Sequence, residues 1–208
     1  MSAGIYNFTV EQGTTWGKTF YFAQSGVGKV YPADSNYSIV VNATAKTFTR
    51  DDGGSWITDG LQVGDYLVNA GFGESENNGS HIITTLTATV ITCAGSTLKS
   101  ETVIPSSTGN QLIVLKAMDL TSYTGAAMIR KKYSSTSAAA TMTVAFDPIR
   151  VNGAVSLSLT NTQTSAVTCG ETVDAPASLY VWDFELTLSG VVTRMLQGAV
   201  SVSPEATK

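Results

Sequence analysis

The chain has 208 residues, of which 43% are hydrophobic and only 13% are charged, and its formal net charge is −4. This length accommodates one large domain or two small ones, and the hydrophobic share is high enough to form a core, which argues against a disordered chain. Only 12 residues are Lys or Arg, against 16 Asp or Glu, so we predict no nucleic-acid partner, because phosphate binding needs clustered cations. No stretch approaches 18 consecutive apolar residues, and the first residues lack the pattern of a secretory signal, so we predict no membrane span.

The opening residues alternate between apolar and polar side chains, which is typical of strands with one buried face. Residues 6–11 and 15–22 are predicted to form either a first hairpin or the first two strands of a sandwich. Residues 24–36 contain two Gly and a Pro, and we interpret them as a linker, because these residue types interrupt regular structure.

A second series of strands begins at Ser38 and has its own turns. The predicted strands cover residues 38–42, 46–49, 61–69, 81–86, 89–93 and 111–115. Turn signals recur about every 8–12 residues, as in small barrels and sandwiches. We therefore predict that residues 35–115 form an inserted small β-barrel or β-sandwich domain.

The remaining residues resume the strand pattern of the opening segment. Strands are predicted over residues 126–130, 140–146, 153–160, 179–188 and 191–202, and Ser189-Gly190 forms the hairpin turn between the last two. Together with the opening segment they give about seven strands. Residues 1–34 and 116–208 are thus predicted to form a discontinuous immunoglobulin-like β-sandwich, and the fold class is all-β.

Large aromatic side chains within or beside the predicted strands are the candidate core residues. In the last hairpin, Trp182 and Phe184 share one strand face with Tyr180 and Leu186, and burial of such side chains strongly stabilises a small domain. The complete set of candidate core residues is Phe8, Trp16, Trp56, Trp182 and Phe184.

Residue types that usually carry catalysis or bind metal are scarce. His81 is the single histidine, and no nucleophile-elbow pattern accompanies it. Cys93 and Cys169 lie in different predicted domains, and we interpret them as small buried hydrophobes. We therefore predict no catalytic residue, no cofactor and no metal ligand, and we expect that the chain is not an enzyme.

Acidic residues suggest two narrower alternatives. Asp51, Asp52 and Asp59 could offer oxygens to Ca²⁺, as could Glu74 with Glu76, but neither set matches an EF-hand pattern, and both are explained more simply as turn residues. Asp183 and Glu185 alternate with the apolar residues of their strand and so face away from the predicted core. Paired carboxylates also hydrolyse sugars, although an exposed sheet face is the ordinary explanation here.

Three aromatic residues lie in or near predicted loops, where they could anchor a partner protein. These candidate interface residues are Tyr31, Phe72 and Tyr133.

Several segments of the outer domain resemble a family of tailed-bacteriophage virion proteins. The resemblance rests on Phe8–Trp16, Asp119–Gly125, Met128–Arg130 and Val192–Glu205. Members have a small immunoglobulin-like β-sandwich and resemble the N-terminal domain of upper-baseplate or fibre-attachment proteins. The inserted domain is similar to a small β module repeated in phage tail and other virion proteins, on the residues Ala45–Arg50, Gly54–Asp65 and Asn77–Thr84.

The resemblance implies a role in assembly and carries over no catalytic residue. We expect a bacteriophage virion structural protein, a tail-associated adaptor or attachment module for a fibre, nozzle or baseplate that acts by protein–protein docking. The alternatives are a capsid decoration or cement protein and a host-glycan-binding receptor protein. The expected partners are other virion proteins of the tail, fibre or capsid, and further copies of the chain in the assembled particle. The expected location is the virion, after synthesis in the host cytoplasm.

Overall fold

The computed structural model describes residues 3–31, 38–103, 111–169 and 177–204. The protein is all-β, as predicted. In chain order, the strands of the described residues are β1 (Gly4–Ile5), β2 (Phe8–Glu11), β3 (Trp16–Tyr21), β4 (Ala23–Tyr31), β5 (Ile39–Asn42), β6 (Thr47–Arg50), β7 (Tyr66–Ala70), β8 (Gly79–Ile82), β9 (Thr85–Leu86), β10 (Val90–Thr92), β11 (Glu101–Val103), β12 (Gln111–Ala117), β13 (Thr124–Arg130), β14 (Ala140–Thr141), β15 (Thr143–Phe146), β16 (Ala154–Leu159), β17 (Ser178–Leu188) and β18 (Val191–Ser203). Short 3₁₀ turns cover Ser75–Asn77 and Arg150–Asn152, and the helix α1 covers Asn161–Ala166.

The chain divides into two compact units. Unit 1 comprises Met1–Phe20, Thr121–Pro148 and Val155–Lys208, and unit 2 comprises Tyr21–Leu120 and Ile149–Ala154. These divisions differ from the boundaries predicted at residues 34/35 and 115/116. Both differences arise from hydrogen bonding between residues that are distant in sequence.

The first difference concerns the predicted linker. Ala23–Tyr31 is a nine-residue strand whose partner is Gln111–Ala117, and that partner also pairs with Tyr66–Ala70. The linker interpretation of these residues is therefore wrong, because the partner strand fixes the segment in spite of its glycines. Residues 32–36 of that segment lie outside the described residues.

The second difference concerns Ile149–Ala154, which belongs to unit 2 although the sequence places it within the outer domain. The amide of Phe22 donates to the carbonyl of Gly153, and the amide of Leu120 donates to the carbonyl of Arg150. Gly64 has a φ of +89°, and a Cβ there would lie 2.4 Å from the carbonyl oxygen of Asn152. Only glycine permits this approach, which brings the returning segment against the rest of unit 2.

Unit 1 contains a six-stranded sheet and a three-stranded sheet. The strand order of the larger sheet is β1-β18-β17-β13-β14, with β2 also paired to β18, and that of the smaller sheet is β15-β16-β3. The strands β1 and β2 run parallel to β18, whereas β17 and β18 form a long antiparallel hairpin. Of the two arrangements predicted for the opening segment, separate strands of a sandwich are therefore observed rather than a hairpin.

The core of unit 1 is built around the inward face of β17. Trp182 and Phe184 are fully buried, and the Trp182 indole donates a 2.7 Å hydrogen bond to the carbonyl of Tyr6. The Trp182 ring also lies 6.2 Å from that of Phe20, which belongs to the smaller sheet. Aromatic contacts therefore join the two sheets, as expected for a β-sandwich.

Phe8 and Trp16, the other two candidate core residues of unit 1, are half-buried. Their rings stack on each other with centroids 4.2 Å apart, and the Phe8 ring contacts the edge of Trp182 at 5.2 Å. They therefore form the margin of the core, with Trp182 at its centre.

Unit 2 contains a five-stranded sheet, β11-β5-β6-β10-β9, and a four-stranded sheet, β4-β12-β7-β8. Its hydrophobic core includes the candidate core residue Trp56, which has no exposed surface, together with Ile39, Phe48, Leu67, Ile83 and Ile91. The Trp56 indole donates to the carbonyl of Thr89 at 3.0 Å, so its single polar group is satisfied within the core.

Candidate functional site

An open groove of about 370 Å³ lies on the face of the six-stranded sheet of unit 1 that points away from the sandwich core. Its apolar lining is Ala126, Met128 and Tyr133, and its charged lining is Arg130, Asp183, Glu185 and Arg194. This volume is near the lower end of the range of small-ligand sites, roughly 300–1,000 Å³.

Strand pairing brings the apolar and acidic residues together. On β13 and β17, Ala126 is directly opposite Glu185 and Met128 is directly opposite Asp183. Successive side chains of a strand point to opposite faces, so these residues line the groove while their neighbours Ala127 and Phe184 are buried. The outward orientation predicted for Asp183 and Glu185 is confirmed.

A β-bulge in β18 places Arg194 beside these carboxylates. Phe184 pairs with Leu196, whereas Glu185 pairs with Arg194, so Met195 is an extra residue in the ladder. Residues two apart on a regular strand share a face, and the bulge separates Arg194 from Leu196. Leu196 is thereby opposite the buried Phe184, and Arg194 is opposite Glu185 at the groove.

Arg194 forms ion pairs with both acids. Its Nη2 lies 3.2 Å from Oδ2 of Asp183 and 3.3 Å from Oε1 of Glu185. The Asp183 side chain is 19% exposed, and burial raises its pKa above the ordinary value, an effect that the positive charge of Arg194 partly opposes. Within the described residues the groove therefore combines a partly desolvated carboxylate, a more exposed one and a shared guanidinium.

Arg130 stabilises the turn that contributes Tyr133 to the lining of the groove. Its Nη1 donates to the carbonyls of Ser135 at 2.7 Å and Thr136 at 3.4 Å. Tyr133 lies in the same turn and is 52% exposed, and its ring centroid is 5.8 Å from Cζ of Arg194. This cation–π distance places an accessible aromatic surface beside the ion pairs.

Unit 2 contains a second arginine with two acidic partners and an aromatic ring, but here the arginine and the ring are buried, and the two acids are only partly hydrated. Nε of Arg50 donates to Asp52 at 2.6 Å, Nη1 donates to Asp59 at 2.7 Å, and Cζ lies 4.4 Å from the Trp56 ring centroid. The remaining acid, Asp51, accepts hydrogen bonds of 2.6 Å from the amide and hydroxyl of Ser38. The three aspartates considered for Ca²⁺ thus bind groups of the chain itself.

The single histidine belongs to a buried hydrogen-bond network. Nε2 of His81 lies 3.1 Å from the carbonyl of Asn77, and Nδ1 lies 2.9 Å from the hydroxyl of Ser96. Burial lowers the His81 pKa, so the neutral ring is favoured. Both cysteines are free and buried, and burial raises the pKa of Cys93 to about 12, so its reactive thiolate is suppressed.

The three predicted interface residues have different environments. Tyr133 is exposed and lines the groove, whereas the Tyr31 side chain lies outside the described part of the structure. Phe72 is only 5% exposed and contacts Phe48 in the core of unit 2, which corrects its prediction as an interface residue. The reason is local: the Phe72 amide donates to Oδ1 of Asn78, and Nδ2 of Asn78 donates to the Phe72 carbonyl. These two hydrogen bonds hold the loop in a conformation that buries the ring.

Unit 2 also has a smaller cavity of about 260 Å³, lined by Tyr21, Ser80, Ile82, Thr84, Gly95 and Ser96. The Thr84 hydroxyl donates to the carbonyl of Thr92 and accepts from the amide of Ala94, and the Ser96 hydroxyl contacts His81. Because these hydroxyls already have partners, the groove of unit 1 is the stronger candidate for a ligand site.

Arg194 was not among the predicted site residues, although the sequence contains a signal for it. In a hairpin with the two-residue turn Ser189-Gly190, Leu188 is opposite Val191. Three positions further along each strand, Glu185 is opposite Arg194. The register of a two-residue hairpin therefore predicts this oppositely charged pair. Arg130 and Met128 belong to β13, and the hairpin turn does not indicate that β13 pairs with β17.

No protein-family profile matches the chain, and no curated protein matches it significantly. Among the described residues there is no group of three or more His, Cys, Asp or Glu side chains that could hold a metal ion. No helix in the described ranges is long and apolar enough to cross a membrane.

Proposed function

We propose that the chain is a structural protein of a tailed-bacteriophage virion and acts in the tail as an adaptor or attachment module. The virion role rests on the sequence resemblance, and the observation that supports docking is the end of the β17–β18 hairpin, where Val191 and Val192 are 67% and 56% exposed. Successive strand residues point to opposite faces, so the end of the hairpin presents one exposed valine on each side. A hairpin end with an apolar side chain on both sides suits insertion into an apolar pocket of another virion protein.

The hairpin is suited to docking because its conformation is fixed before a partner binds. All residues from Leu188 back to Ser178 pair with β18, and the inward face of β17 is buried around Trp182. A preorganised element loses little conformational entropy on association, so a small apolar contact suffices for weak binding. Many copies in a symmetric particle would then strengthen attachment through effective concentration.

The sequence resemblance supports the tail location, whereas a capsid decoration protein could use the same hairpin on the head surface. Separating purified particles into heads and tails, followed by mass spectrometry of their peptides, distinguishes the two. We expect peptides of this chain with the tails. Their recovery with the heads would favour the decoration role, and their absence from purified particles would reject a virion role altogether.

A paired variant tests the docking mechanism itself. We expect Val191→Ser combined with Val192→Ser to leave the unfolding temperature nearly unchanged, because both side chains are already hydrated, and to reduce incorporation into particles. Leu179→Ser is a matched control, since Leu179 is equally exposed at 67% but lies near the opposite end of β17. Equal incorporation of both variants would contradict docking through the hairpin end.

A further inference from the structure

We propose that the groove of unit 1 lined by Tyr133, Asp183, Glu185 and Arg194 is a binding site for a neutral saccharide. This inference goes beyond the docking role and does not depend on it. It rests on three features of the groove: hydrogen-bonding groups with unused capacity, balanced charge, and apolar side chains next to the charged ones.

The polar groups of the groove are only partly occupied. Of the five N–H donors of Arg194, those on Nη2 contact Asp183 and Glu185, and Nε and Nη1 have no hydrogen-bond partner within the described residues. Glu185 accepts a 3.3 Å hydrogen bond from Arg194 through Oε1, and Asp183 is ion-paired with Arg194 through Oδ2 at 3.2 Å. Both carboxylates retain further lone pairs. Fixed donors and acceptors side by side match vicinal hydroxyl groups, each of which both donates and accepts.

The charges of the groove cancel. Arg130 and Arg194 are opposed by Asp183 and Glu185, and Arg130 is close enough to Asp183 to lower its pKa against the effect of burial. A carboxylated or phosphorylated ligand would meet the acids as well as the arginines, so the balance favours an uncharged ligand over an ionic one.

Apolar side chains beside the acidic ones provide the surface that a sugar ring requires. Met128 and Ala126 lie along β13, directly opposite Asp183 and Glu185, and Tyr133 lines the same groove with about half of its surface exposed. The face of an aromatic ring is electron-rich and attracts the partly positive C–H groups on the apolar face of a pyranose. Because Cζ of Arg194 lies 5.8 Å from the Tyr133 ring centroid, the part of the ring left exposed, together with Ala126 and Met128, is the surface that the C–H face of a sugar would contact.

The geometry fits binding rather than cleavage. Glycosidases place two carboxyl groups on either side of the scissile bond, with space for the bond or for water between them. Here Nη2 of Arg194 contacts both carboxylates, so the guanidinium occupies that position. We expect a bound saccharide to leave the groove unchanged.

The test is titration of the purified full chain with neutral sugars (glucose, galactose, mannose, N-acetylglucosamine and their oligomers) and with sialic and glucuronic acids, followed by NMR and calorimetry. We expect at least one neutral sugar to bind, with chemical-shift changes at residues 126–133, 183–185 and 194. Tyr133→Ala and Asp183→Asn should each weaken its binding by about tenfold or more. Lys132→Ala, at an exposed neighbouring position, should bind as the parent does.

Several results would overturn the proposal. These are no binding of any sugar, preferential binding of the acidic sugars, or equal affinity of the two groove variants and the parent. Release of reducing ends from the oligomers would contradict binding without cleavage. The head and tail fractionation addresses the virion role separately, so failure of one proposal leaves the other standing.

Discussion

Arg50 in unit 2 and Arg194 in unit 1 have similar partners but very different surroundings. Each forms ion pairs with two carboxylates and lies near an aromatic ring. The Arg50 side chain is 7% exposed, whereas that of Arg194 is 43% exposed. The comparison shows that residue composition does not define a binding site, because burial and unused hydrogen-bonding capacity decide whether such a cluster holds the fold or remains open to a ligand.

Replacing Arg50 should have the largest effect on stability. Arg50→Ala leaves Asp52 and Asp59 without their guanidinium and uncovers one face of Trp56. Breaking a buried ion pair typically costs about 3–5 kcal/mol, and partial hydration of these two acids reduces the expected loss to about 2–4 kcal/mol. Urea unfolding, followed by NMR signals from each unit, should show this loss in unit 2. A loss below about 1 kcal/mol would mean that the Arg50 cluster is as weakly coupled as a surface ion pair.

The packing around Arg50 can be tested without removing a charge. A Cβ on Gly54 would lie 2.3 Å from Nη2 and 2.7 Å from Cζ of Arg50, so Gly54→Ala must displace a guanidinium held by two carboxylates. We expect a loss of about 1–3 kcal/mol, typical of overpacking. Gly95→Ala is the control in the same unit, because a Cβ there has no atom within 4 Å. Equal urea midpoints for the two variants would show that Arg50 moves freely.

The exposed cluster should respond much less to the same change. Arg194→Ala removes ion pairs from a side chain that is 43% exposed, and such pairs contribute about 0–1 kcal/mol. The sharper readout is the pKa of Asp183, which burial already raises and Arg194 lowers. In the variant this pKa should rise further, as measured by NMR titration of the carboxyl carbon. An unchanged pKa, or a loss of stability equal to that of Arg50→Ala, would remove the distinction between the clusters.

Much of the fold could be predicted, because the alternation of apolar and polar residues along a strand indicates which of its faces is buried. The face of Tyr180, Trp182, Phe184 and Leu186 was predicted correctly, and all four side chains are buried. Pairing between distant segments leaves no such pattern. The parallel pairing of the opening strands with β18 depends on Gly198, where a Cβ would lie 2.1 Å from the carbonyl oxygen of Tyr6. The sequence around Gly198 does not indicate that the opening segment lies against it.

The candidate site shows the same division between local and distant information. Local alternation predicted that Asp183 and Glu185 point outward, and the hairpin turn contained the register that pairs Glu185 with Arg194. The bulge at Met195 and the approach of β13 depend on packing across the sheet, which no local pattern specifies. The sequence therefore predicted two charged residues of the groove, Asp183 and Glu185, but not the groove itself.

The smallest effect, and the most specific, is a pH dependence of opposite sign in the two clusters. The hydrogen bond from Arg50 lowers the Asp52 pKa below its ordinary value of 3.8. Its contribution to stability is therefore present above about pH 3.8 and is lost as the pH falls through the lower folded pKa. Burial raises the Asp183 pKa above 3.8, so its contribution is present below pH 3.8 and is lost as the pH rises through the higher folded pKa.

Asn variants separate these two contributions, and urea unfolding of each unit between pH 3 and pH 7 measures them. Relative to the parent, Asp52→Asn should be less stable at pH 7, with a difference that shrinks toward pH 3. The free energy of unfolding of Asp183→Asn should increase relative to that of the parent as the pH rises. The increase should be less than about 1 kcal/mol, because its partner Arg194 is exposed. The same sign of pH dependence in both variants would make Asp183 a structural residue like Asp52.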